Sequence, residues 1–126
     1  MARYDKYEPK AGGFRAPLAA DLAKTTAPIG VGLNSSGRVV AGAGNTGILG
    51  VLNTVKNMKA GEIVDVMTSG EIVEMASLTA GTAITADTTT GALGTTAASA
   101  TKTPVGFTVE ATRLVVRRSV QPYIGT

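Results

Sequence analysis

Residues 62–75 read EIVDVMTSGEIVEM. Two β-branched apolar runs, each opened by a glutamate, flank Ser69-Gly70. Such runs prefer extended backbone, and a Ser-Gly pair between them predicts two strands joined by a tight hairpin. Working outward, Lys59-Ala60-Gly61 forms a turn ahead of the first run. Upstream, 29–33 and 38–41 are short apolar runs around the turn cluster Asn34-Ser35-Ser36-Gly37, and 48–55 is a further apolar run. Downstream, 105–109 and 112–120 predict two more strands. Between them, 20 of the 25 residues in 79–103 are Thr, Ala or Gly, which can form short β-segments but supplies little bulky core. Strands of this length, separated by glycine-rich turns, predict an all-β fold. It would be a small β-barrel or β-sandwich of short antiparallel strands.

A chain of 126 residues is enough for one modest core. Residues 1–28 contain three prolines and hold neither strand nor helix periodicity. They predict an extended N-terminal arm ahead of a β-rich body at 29–126. At most one short helix fits, at 16–24 with Pro17 in its first turn. Tyr4, Tyr7, Phe14 and Leu18 are anchors that a solvated tail does not need.

An internal echo runs through the body. PIGVGLNSSGRVV from Pro28 matches TAITADTTTGAL from Thr82: an apolar strand, a polar turn ending in Gly37 or Gly91, and another strand. GILGVL from Gly47 is similar to PVGFTV from Pro104, each a strand with an internal glycine, Gly50 in one and Gly106 in the other. Two stacked β-units related by a pseudo-two-fold would produce this pattern.

Composition narrows the chemistry. Cysteine, histidine and tryptophan are absent, which removes disulfides, thiol chemistry, the usual neutral-pH base and the commonest metal ligands. The acidic pairs Asp5/Glu8, Glu62/Asp65 and Glu71/Glu74 are three residues apart, which on a strand places the partners on opposite faces. No serine sits in a nucleophile-elbow context. The expectation is a protein without a catalytic site, cofactor or metal. No secretory signal is readable in residues 1–28, and no apolar run reaches the ~20 residues needed to span a bilayer.

Gly42-Ala43-Gly44-Asn45-Thr46-Gly47 matches the G-x-G-x-x-G dinucleotide fingerprint, with Glu62 and Asp65 as possible ribose ligands. That function needs a helix to begin inside the loop. The segment 48–55 contains Gly50, Val51, Asn53, Thr54 and Val55 and is poor helix material. Charge is uneven: residues 1–40 and 102–126 each carry +3, while 41–101 carry −3. The basic residues of the arm are interspersed with Asp5, Glu8 and Asp21, which argues against nucleic acid as the partner.

Three stretches carry a resemblance. MKAGEIVDVMTSGEIVEM at 58–75, LTAGTAITADTTTGAL at 78–93 and PVGFTVEATRLVVRRS at 104–119 together resemble the capsid-decoration, or head-cement, proteins of bacteriophages. The likeness covers roughly residues 28–120 and is carried by the order of the elements. It implies a virion protein on the outer surface of an icosahedral head, made in the host cytoplasm. It also implies the major capsid protein as partner, homotrimers at three-fold positions, and a role in cementing capsomers. On that reading Arg3, Lys6, Lys10 and Arg15 pair with acidic capsid groups, while Tyr4, Tyr7, Phe14 and Leu18 fill shallow pockets. Another virion β-component, such as a tail-tube or spike subunit, and a dinucleotide-binding module are the alternatives.

Overall fold

The computed structural model describes residues 12–73 and 78–117. Ten strands follow one another: β1 (Gly13–Pro17), β2 (Ile29–Leu33), β3 (Val39–Gly44), β4 (Gly50–Leu52) and β5 (Ile63–Met67), then β6 (Ser69–Ile72), β7 (Ala83–Asp87), β8 (Leu93–Gly94), β9 (Lys102–Glu110) and β10 (Arg113–Arg117). They form two five-stranded sheets, ordered β1-β5-β4-β2-β3 and β6-β10-β9-β7-β8. Pairing is antiparallel apart from the irregular β2–β3 contact. The protein is therefore all-β, as expected, and its two sheets make a small β-sandwich. No helix occurs among the described residues.

The second sheet repeats the first, with every strand advanced by five. The duplication extends to side chains. In the first half the buried Thr54 hydroxyl bonds the Ala27 carbonyl at 3.2 Å and meets the Thr25 hydroxyl, while Thr25 N–H donates to the Thr54 carbonyl. In the second half the buried Thr108 hydroxyl donates to the Thr79 carbonyl and accepts from Thr82 N–H, while Gly81 N–H donates to the Thr108 carbonyl. Each threonine pins the segment leading into the second strand of its half. The turns after those strands match too. Asn34 Oδ1 accepts from the N–H groups of Ser36 and Arg38, and Asp87 Oδ1 accepts from those of Thr89 and Thr90. Each turn ends on a left-handed glycine, Gly37 or Gly91.

Each half has its own buried cluster. Leu18, Val31, Val39, Leu52, Met58, Val64 and Val66 form one, and Ile72, Ile84, Ala86, Val105, Leu114 and Val116 form the other, joined by Ile48 and Val51 from the first half. Successive residues of a strand face opposite ways, so Val51 and Leu52 send β4 into both cores at once. The first sheet also curls on itself. Leu18 N–H donates to the Glu62 carbonyl and Ala19 N–H to that of Val39, tying its two edges together.

Two local expectations are corrected. The run around Ser69-Gly70 is not a hairpin, because β5 and β6 lie in different sheets. Both edges of β5 are occupied, by β1 and β4, and Thr68 and Ser69 both donate to the Gly12 carbonyl as the chain leaves the sheet. Residues 16–24 form no helical turn either. Their N–H groups serve distant carbonyls: Leu18 bonds Glu62, Ala19 bonds Val39 and Leu22 bonds Met58. The helix-style partner four residues back is unused.

Replacing the Thr108 hydroxyl by a methyl, Thr108→Val, keeps the volume but strands the Thr82 N–H and the Thr79 carbonyl. A loss of about 1–3 kcal/mol in urea unfolding is expected, with a similar loss for Thr54→Val.

Candidate functional site

The eight residues singled out from the sequence are distributed unequally. Arg3, Tyr4, Lys6, Tyr7 and Lys10 lie outside the described residues. Phe14, Arg15 and Leu18 belong to the folded body. Phe14 stands opposite Val66 and packs on the first core, and Leu18 is fully buried in it. Leu18 therefore has no surface left for a partner, while Phe14 is half-buried and spends only part of its ring on the core. Arg15 is exposed, but its guanidinium Nε donates to Asp65 Oδ1 at 2.6 Å. The signal for this was present: Phe14, Ala16 and Leu18 alternate with Arg15 and Pro17, an inward-outward period of two too short to stand out beside three prolines. Residues 18–25 are likewise bonded across the first half, through Leu22 to Met58 and Thr25 to Thr54.

The glycine loop 42–47 has a structural use. β3 ends at Gly44, and the chain passes through Gly47 to β4, a strand where the dinucleotide motif requires a helix. Gly42 has a φ of +85°, and a Cβ there would come 2.6 Å from the Thr89 carbonyl oxygen. Beside it Ala43 N–H donates to the Thr88 carbonyl at 2.8 Å, and Gly30 N–H donates to that of Gly91 at 2.7 Å. The glycines here let the backbones of the two halves touch.

All six carboxylates among the described residues stand within salt-bridge distance of a cation: Asp21 with Lys59, Glu62 with Lys56, Asp65 with Arg15, Asp87 with Lys102, and both Glu71 and Glu110 with Arg113. Most are open to water and contribute little stability individually. No group of three or more acidic residues able to hold a metal occurs among the described residues, and no described helix is long and apolar enough to cross a membrane. The Ala60 N–H and the Lys59 ammonium hold the Asp21 carboxyl below its usual range. Asp87 is lowered to about 2 by Lys102, with help from the N–H groups of Thr90 and Thr89.

No protein-family model matches the chain, and no curated protein matches it. Among solved structures the fold is similar to that of a protein of Mycobacterium phage Patience. The TM-score is 0.74 at 18% identity, over 91% of this chain and 95% of that one. The class defined by the fold is thus a duplicated, two-sheet β-body, and the phage protein shares that body nearly end to end.

Because Asp87 titrates lower when folded than unfolded, its contribution is complete above the ordinary carboxylate range and lost as pH falls from there through about 2. Lys102→Met removes the largest cause of the shift. Carboxyl carbon NMR of that variant is expected to show the Asp87 titration moved upward, and a melt at pH 3 to show a smaller acid loss than the parent.

Proposed function

We propose that this chain is a structural component of a phage virion that binds the outside of the assembled head and fastens neighbouring capsomers. The observation that carries the reading is the fold likeness to a chain from a phage, extending over nearly the full length of both. The ordered resemblance of residues 58–119 to head-cement proteins supports it independently.

Physical requirements of such a role agree with the body described above. Fastening needs a stiff unit with defined surfaces and no chemistry. The doubled sheet, with β4 shared between both cores, supplies stiffness. Each carboxylate of the described residues lies beside a cation, and eight Lys/Arg against six Asp/Glu leave those residues with a formal charge of only +2, a weak overall field. The segment 1–11 carries Arg3, Lys6 and Lys10 with Tyr4 and Tyr7, a mixture suited to an acidic surface with shallow apolar pockets. Eleven residues reach about 35 Å when extended, at ~3.3 Å each, enough to cross a joint between capsomers. Weak contacts repeated over a shell hold firmly through multivalency.

The test mixes purified protein with expanded, undecorated shells of the parent phage and images the particles. Regular added density on the shell is the expected result. Rings or filaments formed without shells would instead indicate a tail or spike subunit, and the proposal would fall. Deletion of residues 2–11 is expected to leave a folded body that no longer adds to shells. Deletion of 2–15 removes much of β1 from its place beside β5 and is expected to lower the melting temperature as well.

A further inference from the structure

The two halves meet at the turn 87–92. There the Thr88 carbonyl accepts from Ala43 N–H at 2.8 Å, the Gly91 carbonyl accepts from Gly30 N–H at 2.7 Å, and Ala92 bridges Ile29. Gly42 lies so close that a Cβ on it would meet the Thr88 and Thr89 carbonyl oxygens at 2.8 and 2.6 Å. One side chain grips this turn. Asp87 Oδ1 accepts from the N–H groups of Thr89 and Thr90 at 2.7 and 3.0 Å, and Oδ2 accepts from Lys102 Nζ at 3.0 Å.

That grip bears directly on the joint. The Thr88 carbonyl and the Thr89 N–H belong to one planar peptide group. Asp87 holds the N–H end of this group and Ala43 meets its carbonyl end, so the carboxylate sets the direction in which the carbonyl points. Gly91 is held less directly. Its N–H donates to the main-chain carbonyl of Asp87, and Ala92 N–H, in the same peptide as the Gly91 carbonyl, donates to Thr90 Oγ1 at 3.3 Å.

The first half supplies a comparison. Asn34 Oδ1 organises its turn by accepting from Ser36 and Arg38 N–H, yet residues 35–38 are exposed and a Cβ on Gly37 would meet nothing within 4 Å. A neutral amide is therefore enough to build such a turn. The ionisable residue stands in the copy that carries a joint. With Lys102 it forms the least exposed ion pair among the described residues, the Lys102 and Asp87 side chains being 29% and 26% exposed. Lys102 is also its sole charged neighbour in the elements packed there. Strands β2 and β3 and residues 88–101 carry no titratable side chain, and Glu110 of β9 lies at that strand's far end beside Arg113. Arg38 precedes β3 at the end away from Ala43.

We propose that Asp87 is an acid-released latch on the joint between the halves. Ionised, it holds the peptide joining Thr88 to Thr89 against Ala43. Protonated, it loses the attraction of Lys102 and its charge-assisted hydrogen bonds to the turn, the peptide turns free, and the joint opens at Gly42 and Ala43. The carboxyl titrates below its ordinary range when folded, at about 2, so the latch is closed at neutral pH and released as pH falls toward that value.

Native-state amide hydrogen exchange on the full chain between pH 5 and pH 2, corrected for intrinsic rates, tests this. Leu22 N–H, bonded to the Met58 carbonyl within the first half, is the reference. Ala43 protection is expected to fall at least about fivefold more than that of Leu22, with Gly30 following to a smaller extent. Asp87→Asn copies the first-half turn and is expected to flatten the response of Ala43. Lys102→Met leaves Asp87 in place and is expected to move the release of Ala43 to higher pH together with the carboxyl titration. Ala43 protection that tracks Leu22 throughout overturns the proposal, because the loss is then general acid unfolding. So does an Ala43 response that survives in Asp87→Asn, or one that stays put in Lys102→Met while the carboxyl titration moves.

Discussion

The structure depends on backbone meeting backbone where its two halves join. Gly30 N–H donates to the Gly91 carbonyl, Ala43 N–H donates to that of Thr88, and Ile29 bridges Ala92. A Cβ on Gly91 would come 2.2 Å from the Gly30 carbonyl oxygen, and a Cβ on Gly30 would come 2.5 Å from the side-chain Cβ of Ala86. Side chains at these positions would separate the halves and expose the apolar side of β4. The junction also explains why a phosphate-binding fingerprint can occur without a phosphate site. Close approach of two backbones and close approach of a backbone to a pyrophosphate make the same demand on sequence, namely glycine.

Duplication solves a problem of size. Each half has only five short strands and few large apolar residues, and an isolated sheet of that kind buries too little surface to offset its ordering entropy. Sharing Ile48 and Val51 with the second core enlarges it, and curling the first sheet through Leu18 gives that half its own interior. Small side chains then become useful. The stretch rich in Thr, Ala and Gly supplies Thr85, which is buried and donates to the Thr96 carbonyl, and Ala86, which is fully buried beside Gly30. Small side chains thus let two thin sheets close on each other without large apolar residues.

Relaxation of the copied plan is as informative as its persistence. The pinning threonines and Asx-type turns recur because each satisfies backbone groups that every copy must satisfy. The outward pair Arg15 and Asp65 is free of that demand, and its counterpart in the second half, Glu71 beside Val115, does not repeat the ion pair.

The sequence by itself determined the all-β class, most of the strands, the poor helix potential after Gly47 and the echo between the halves. Local propensity and glycine placement are properties of neighbouring residues and can be read along the chain. Only tertiary structure decided which strands became neighbours. Residues 62–75 have the composition of a hairpin, yet β5 had already been claimed on both edges, so the second run was sent to the other sheet. Leu18 resembled an anchor for a partner because nothing nearby in sequence shows that β3 waits to receive it. Edge occupancy and core closure are set by residues some fifty positions away, as Arg15 and Asp65 are, and that distance puts them beyond any local pattern.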